Sequence, residues 1–138
     1  MDRTVNTPHE MLNPSTLPKP TGFSHAVVAA AGRLVFLAGQ TGHRADGSID
    51  QTVEEQFEQA AKNVAIALEA ANGAPEHIVS MQIFVTDLAG YREALGELGE
   101  VYRRLLGRHY PAISLFEVSS LFDPSALVEL VCTAVVPE

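Results

Sequence analysis

Cysteine and basic charge are both scarce in this 138-residue chain, and no long apolar run occurs. The single cysteine, Cys132, excludes an internal disulfide; inside the run LVELVCTAVV it reads as a buried thiol behaving as a small hydrophobe. Nine Lys and Arg stand against seventeen Asp and Glu, a net charge of −8. A nucleic-acid partner needs a clustered basic surface. The densest cluster here, Arg103 and Arg104 with Arg108, falls on a helix-like stretch and reads as a solvated face. No run approaches the ~18 apolar residues of a membrane helix. The N-terminal stretch MDRTVNTPHEMLNPSTLPKP lacks the apolar core of a signal peptide. The expectation is a cytoplasmic protein with neither nucleic acid nor membrane as partner. The histidines at 9, 25, 43, 77 and 109 show no metal-ligand spacing. No nucleophile elbow, phosphate loop or dinucleotide fingerprint occurs. Neither a metal nor a cofactor is expected.

What is present describes one folded domain. Hydrophobic residues make up 46% and charged residues 19%, which excludes a disordered chain. A chain of this length buries roughly two-thirds of its unfolded surface. Residues 1–21 read as an extended, proline-stiffened arm with little structure of its own, and residues 22–138 as the domain. Two β-like runs, SHAVVAAA and RLVFLAGQ, precede a turn marked by Asp46-Gly47. Thr52 and Glu55 form a capping-box pattern at the head of a helix whose stripe is Phe57, Ala60, Val64, Leu68 and Ala71. Gly73 and Pro75 stop that helix. HIVSMQIFVTD is β-branched and reads as a strand. Leu88, Tyr91, Leu95, Leu98, Tyr102 and Leu105 then mark a second helix ended by Gly107, and two apolar strands close the chain.

The order β-β-α-β-α-β-β predicts an α+β fold, a mixed sheet with two helices on one face. LVFLAG and LVELVCTAVV are apolar at nearly every position, where a half-exposed strand would alternate. The second face therefore calls for a cover that the chain does not contain. Self-association is the economical cover, and it places a ligand cleft at subunit borders.

Glu129 is the local candidate for chemistry, because a carboxylate in an apolar strand is costly unless paired or tuned for proton transfer. An equally good local reading is a glutamate at a subunit edge, bonded to backbone N–H groups or an arginine. Tyr91 and Tyr102 fit the core stripe of the second helix better than any site.

Taken together, GFSHAV, LVFLAGQTG, the glycine-ended helix, IFVTDL, and YPA followed by a strand and VEL resemble the Rid family. These are the reactive-intermediate deaminases, also called YjgF-like, with the older label L-PSP endoribonuclease. The resemblance runs from about Asn13 to Val136. It implies a chorismate-mutase-like fold assembled as a homotrimer around a central barrel, with clefts between subunits. It also implies cofactor-free hydrolysis of enamines and imines such as 2-aminoacrylate. In the family an arginine after the P-A dipeptide clamps the substrate carboxylate, and a last-strand glutamate with a backbone carbonyl positions water.

By that resemblance Glu129 is the water-positioning group and the backbone carbonyl of Leu115 its partner. Ile113, however, stands where the arginine belongs, Phe23 replaces a tyrosine and Gly99 an asparagine. Losing one partner of a desolvated guanidinium–carboxylate pair costs about 2–5 kcal/mol. Activity on 2-aminoacrylate should fall roughly 30- to 3,000-fold. His109, Arg108 or Arg44 from an adjacent subunit are the candidate replacements, and Phe23, Ile113, Gly99 and His109 the expected substrate-binding residues. The expected function is binding of a small metabolite at inter-subunit clefts with hydrolysis of an enamine or imine. The alternative is a non-catalytic trimeric ligand-binding or regulatory protein. An endoribonuclease or translation-inhibitor role ranks third, because the charge of −8 opposes it.

Overall fold

The computed structural model describes residues 6–138; the first five residues of the expected arm lie outside the described residues. Strands β1 (Glu10–Leu12) and β2 (Ala26–Val28) pair antiparallel as a small two-stranded sheet. The main sheet holds β3 (Arg33–Phe36), β4 (Ile78–Val85), β5 (Ala112–Glu117) and β6 (Val128–Val136) in the order β3-β6-β4-β5. Only β4 and β5 run parallel, so the sheet is mixed. The connection between β3 and β4 carries α1 (Val53–Ala70), and that between β4 and β5 carries α2 (Leu88–Glu93) and α3 (Leu95–Leu106).

Two sequence expectations change. The arm, expected to have little structure of its own, is tied into the fold: residues 10–12 form β1 and His9 is buried. The His9 ring takes an N–H from Ala30 at Nδ1, 3.0 Å away, and its Nε2 donates to the carbonyl of His77 at 2.9 Å. The second helix also breaks. Ala94 (φ −89°, ψ 4°) ends α2 and precedes α3; Gly90 and Gly96 flank it, and each glycine costs a helix about 1 kcal/mol relative to alanine. Helix α1 starts as its capping pattern predicts, the Glu55 N–H donating to Thr52 Oγ1 at 3.2 Å. The Glu55 carboxylate takes the threonine hydroxyl at 2.8 Å instead of reaching the cap N–H.

The helices cover one face of the sheet. Phe57, Ala60, Val64 and Leu68 of α1 and Leu98 and Leu106 of α3 meet Met81, Ile83, Leu130 and Cys132, all buried. The stripe spacing thus converts directly into a core. Burial pushes the Cys132 thiol up to about 12, so it stays protonated and apolar in character. Among the described residues no helix covers the opposite face. Leu34 and Phe36 of β3 are 59% and 75% exposed, and Phe84 stacks on an exposed Phe116 with ring centroids 5.6 Å apart.

Candidate functional site

Consecutive strand residues point to opposite faces, and this fixes where each candidate side chain lies. Ile113 pairs with Met81 and Leu115 with Ile83, so both lie on the helix-covered side of edge strand β5, packed against the core. Between β5 and the helices opens a cavity of about 590 Å³, lined by Phe23, Ile113, Leu115 and Gly99 together with Tyr91, Leu95, Leu98, Tyr102, Arg103 and Tyr110. That volume suits a small organic ligand. Phe23 reaches it because Ser24 is pinned to the chain ahead of β5. The Ser24 N–H donates to Pro111 O at 2.9 Å and its hydroxyl to Tyr110 O at 2.6 Å.

Four expected residues therefore meet in one hollow, and two do not. His109 is 3% exposed and Nε2 donates to the Ile78 carbonyl at 2.7 Å; it ties the end of α3 to β4 and does not line the cavity. Tyr102 adds to that tie, its hydroxyl donating to the His109 carbonyl at 2.5 Å. Arg44, a candidate replacement cation, is spent on Asp50, with Nη2 2.5 Å from its carboxylate.

Glu129 lies elsewhere. It pairs with Phe84 on β4, so its side chain belongs to the uncovered face. Among the described residues its carboxylate has no hydrogen-bond or ionic partner. Gly39 lies flat against it: a Cβ at Gly39 would sit 2.7 Å from Cδ and 2.8 Å from Oε2. Glycine is therefore required here by close approach. The backbone beyond is held to β6, Gln40 exchanging two hydrogen bonds with Leu130 at 2.8 and 2.9 Å. The next turn is clasped from two sides. Thr41 Oγ1 lies 2.6 Å from His43 Nδ1 and His43 Nε2 2.9 Å from Asp123, while the Asn63 amide donates to the carbonyls of Thr41 and His43. The Ser125 N–H and His43 hold the Asp123 carboxyl below the usual carboxylate range. The carboxylate of Glu129 thus stands on a fixed platform, open on one side.

Sequence reading missed most of the cavity's helix wall. Tyr91 and Tyr102 are core, as their spacing says, but also wall the cavity, as does Leu95. Arg103, read as part of a solvated face, also lines it. The findable signal was its spacing: Arg103 lies four residues after Gly99, one helical turn on the same face. A second hollow beside Tyr91 is lined by Glu54, Asp87, Glu93 and Glu97, a wall that repels an anionic ligand. Among the described residues no three His, Cys, Asp or Glu side chains gather as a metal site, and no helix is long and apolar enough to cross a membrane.

Comparisons with known proteins converge on one family. The chain is 30% identical over 128 residues to the RutC family protein UK114 of Drosophila melanogaster, covering 91% of this chain and 88% of that one. It is 29% identical over 128 residues to the chloroplastic Reactive Intermediate Deaminase A of Arabidopsis thaliana, covering 91% of this chain and 65% of that one. Among solved structures it resembles the Rid-family protein YyfB of Yersinia pestis with a TM-score of 0.83 and 28% identity, over 93% of this chain and 98% of that one. The Endoribonuclease L-PSP family model matches residues 15–136, and the chain belongs to this family, that of the Rid and YjgF-like proteins.

Proposed function

We propose that the chain is a Rid-type hydrolase that converts a small enamine or imine into a carbonyl compound and ammonia, in a cavity completed by a second copy of itself. One observation carries the reading. Phe23, Gly99, Ile113 and Leu115, the positions that match the family's substrate site, line one hollow, while Glu129, without a partner among the described residues, stands on the reverse face of the same sheet. One sheet cannot turn both faces to one ligand. A neighbouring copy that packs its open face at the β5 edge brings its own Glu129 to the cavity and covers Leu34 and Phe36 in the same step. Three copies closing a barrel would repeat this border three times.

At that border the chemistry is hydrolytic and calls for water alone. Glu129 accepts a proton from water as the oxygen adds to the imine carbon. Glu129 returns that proton to the imine nitrogen, giving a carbinolamine, whose hydroxyl then yields a second proton to the nitrogen as the C–N bond breaks, the C=O bond forms and ammonia leaves. The Leu115 carbonyl is the second acceptor holding the water. As edge strand, β5 leaves alternate backbone groups without a ladder partner in its own chain. An enamine enters the same path after protonation at its β-carbon.

The test mixes the protein with 2-aminoacrylate and bulkier 2-imino acids generated in situ and follows keto-acid release against buffer. Turnover above buffer that disappears in Glu129→Gln is the expected result. Ile113, in place of the family's arginine, favours a second reading, binding without turnover. In that case no imine on the panel is consumed faster than in buffer, and Glu129→Gln weakens ligand binding only. The endoribonuclease named in the family's description would need a basic surface, which the charge of −8 does not supply.

A further inference from the structure

The cavity has lost a guanidinium from its strand wall and carries one on its helix wall. Arg103 sits in the last turn of α3. A helix side chain leans back over the preceding turn, and here it crosses Gly99: a Cβ at Gly99 would stand 3.1 Å from Arg103 Nη1 and 3.9 Å from Cζ. That is tighter than ordinary contact by a few tenths of an ångström, so a side chain at 99 would press on the guanidinium in this position. A favourable interaction with the helix C-terminus accounts for a cation in the last turn. It does not account for a guanidinium folded back one full turn onto the cavity rim.

The neighbouring arginines set the contrast. Arg104 is paired with Glu58 and Arg44 with Asp50, and Arg33 donates to the Ala71 carbonyl at 3.1 Å. Among the described residues, Arg103 has no carboxylate and no carbonyl as partner. It is half-buried, at the edge of a wall made of Ile113, Leu115, Leu95 and Phe23. A partly buried guanidinium beside apolar surface is a setting that strengthens a bidentate carboxylate pair. Burial pushes the Tyr91 hydroxyl up to about 12, so this wall contributes a neutral phenol and no competing anion.

Resting on the reading of this cavity as the substrate site, we propose that Arg103 is its anion-binding residue, gripping the carboxylate of a 2-imino or 2-keto acid whose branched or aromatic side chain lies against Ile113 and Leu115. The substitutions at 99 and 113 then form one exchange: the clamp has moved from β5 to α3, and the vacated strand position has become apolar. Such a cavity prefers acids with larger apolar side chains over 2-aminoacrylate, which has none to place on Ile113.

Titration calorimetry of the full-length protein in its native assembly tests this, with 4-methyl-2-oxopentanoate as probe and the neutral ketone 4-methyl-2-pentanone as control. Arg103→Gln should weaken the acid about 30-fold and leave the ketone within twofold. Adding Ile113→Arg to Arg103→Gln should recover most of the lost affinity, because it returns a guanidinium to the strand side; circular dichroism checks that each variant folds. Gly99→Asn in the wild-type background should weaken the acid by displacing Arg103. Equal acid binding by wild type and Arg103→Gln overturns the role of Arg103 and leaves the cavity standing. Binding of neither probe by the wild type overturns the cavity reading and the clamp together.

Discussion

The two faces of the main sheet come from the same strands and meet opposite fates. On β6, Val128, Leu130, Cys132 and Ala134 are at most 1% exposed beneath α1 and α3, whereas Glu129, Val131 and Thr133 between them stay half-buried. On β3 the open side carries Leu34 and Phe36, two large apolar side chains without a cover. The covered face holds the fold together. The open face is apolar enough to seek a partner, and it places its one carboxylate against a backbone with no side chain. A face designed only for water would not combine those two properties. The same strand thus supplies stability with one set of residues and, in the proposed function, a half-site with the other.

The sharpest way to break this comparison is to damage each face once. Leu130→Ala empties a fully buried position between β6 and the helices and should cost about 3–4 kcal/mol, read as a lower urea midpoint at fixed protein concentration. Phe36→Asp, at a side chain 75% exposed in the single chain, should cost the subunit under ~1 kcal/mol of its own stability. It should nevertheless reduce the mass seen by sedimentation to one subunit and abolish imine turnover. An unchanged mass in Phe36→Asp would remove the open face as a subunit surface, and the shared site with it.

Gly39→Ala sharpens the comparison within the open face. The new Cβ would overlap the Glu129 carboxylate and must turn it aside, while nothing in the hydrophobic core is touched. Misplacing a catalytic group by about 1 Å costs on the order of 100-fold, so turnover should fall 10- to 100-fold with mass and urea midpoint nearly constant. If turnover survives, the orientation of Glu129 is not what the reaction uses.

How far the sequence disclosed this division follows from periodicity. The helix stripes, the capping threonine and the strand runs are local patterns with one geometric reading, and each became the element it announced, the α1 stripe from Phe57 to Leu68 going directly into the core. The missing cover was legible too, since β3 and β6 hold more apolar residues than one face needs. Side-chain direction across the sheet was not legible. Ile113 and Glu129 could be assigned to one site by resemblance, but only the register, Ile113 beside Met81 and Glu129 beside Phe84, puts them on opposite faces. Arg103 was hidden for a related reason. Three arginines within six residues look alike in sequence, and only the bare backbone of Gly99 distinguishes the one that turns inward. His9 and the strand at 10–12 escaped because their partners, His77 and residues 26–28, are distant in the chain.

The smallest expected effect concerns His109, which joins the two faces' supports without belonging to the cavity. Desolvation by burial lowers its pKa below the ordinary histidine range, against the opposing effect of the Ile78 carbonyl, which accepts its N–H. His77, nearby, is lowered for the same first reason. The sign follows from linkage. The folded chain holds these rings neutral, and the unfolded chain takes up protons near pH 6.5. The stability they contribute is therefore complete above about pH 6.5 and is lost as pH falls through the lowered folded values. Urea midpoints should be flat from pH 8 to 7 and decline below 6.5, and His109→Gln should make that decline shallower while lowering the plateau. A decline of unchanged steepness in His109→Gln would assign the acid sensitivity to other groups. Because His109 does not line the cavity, the pH dependence of imine turnover per folded subunit should be the same in His109→Gln and wild type; a change would show that the tie from α3 to β4 also sets the position of Arg103.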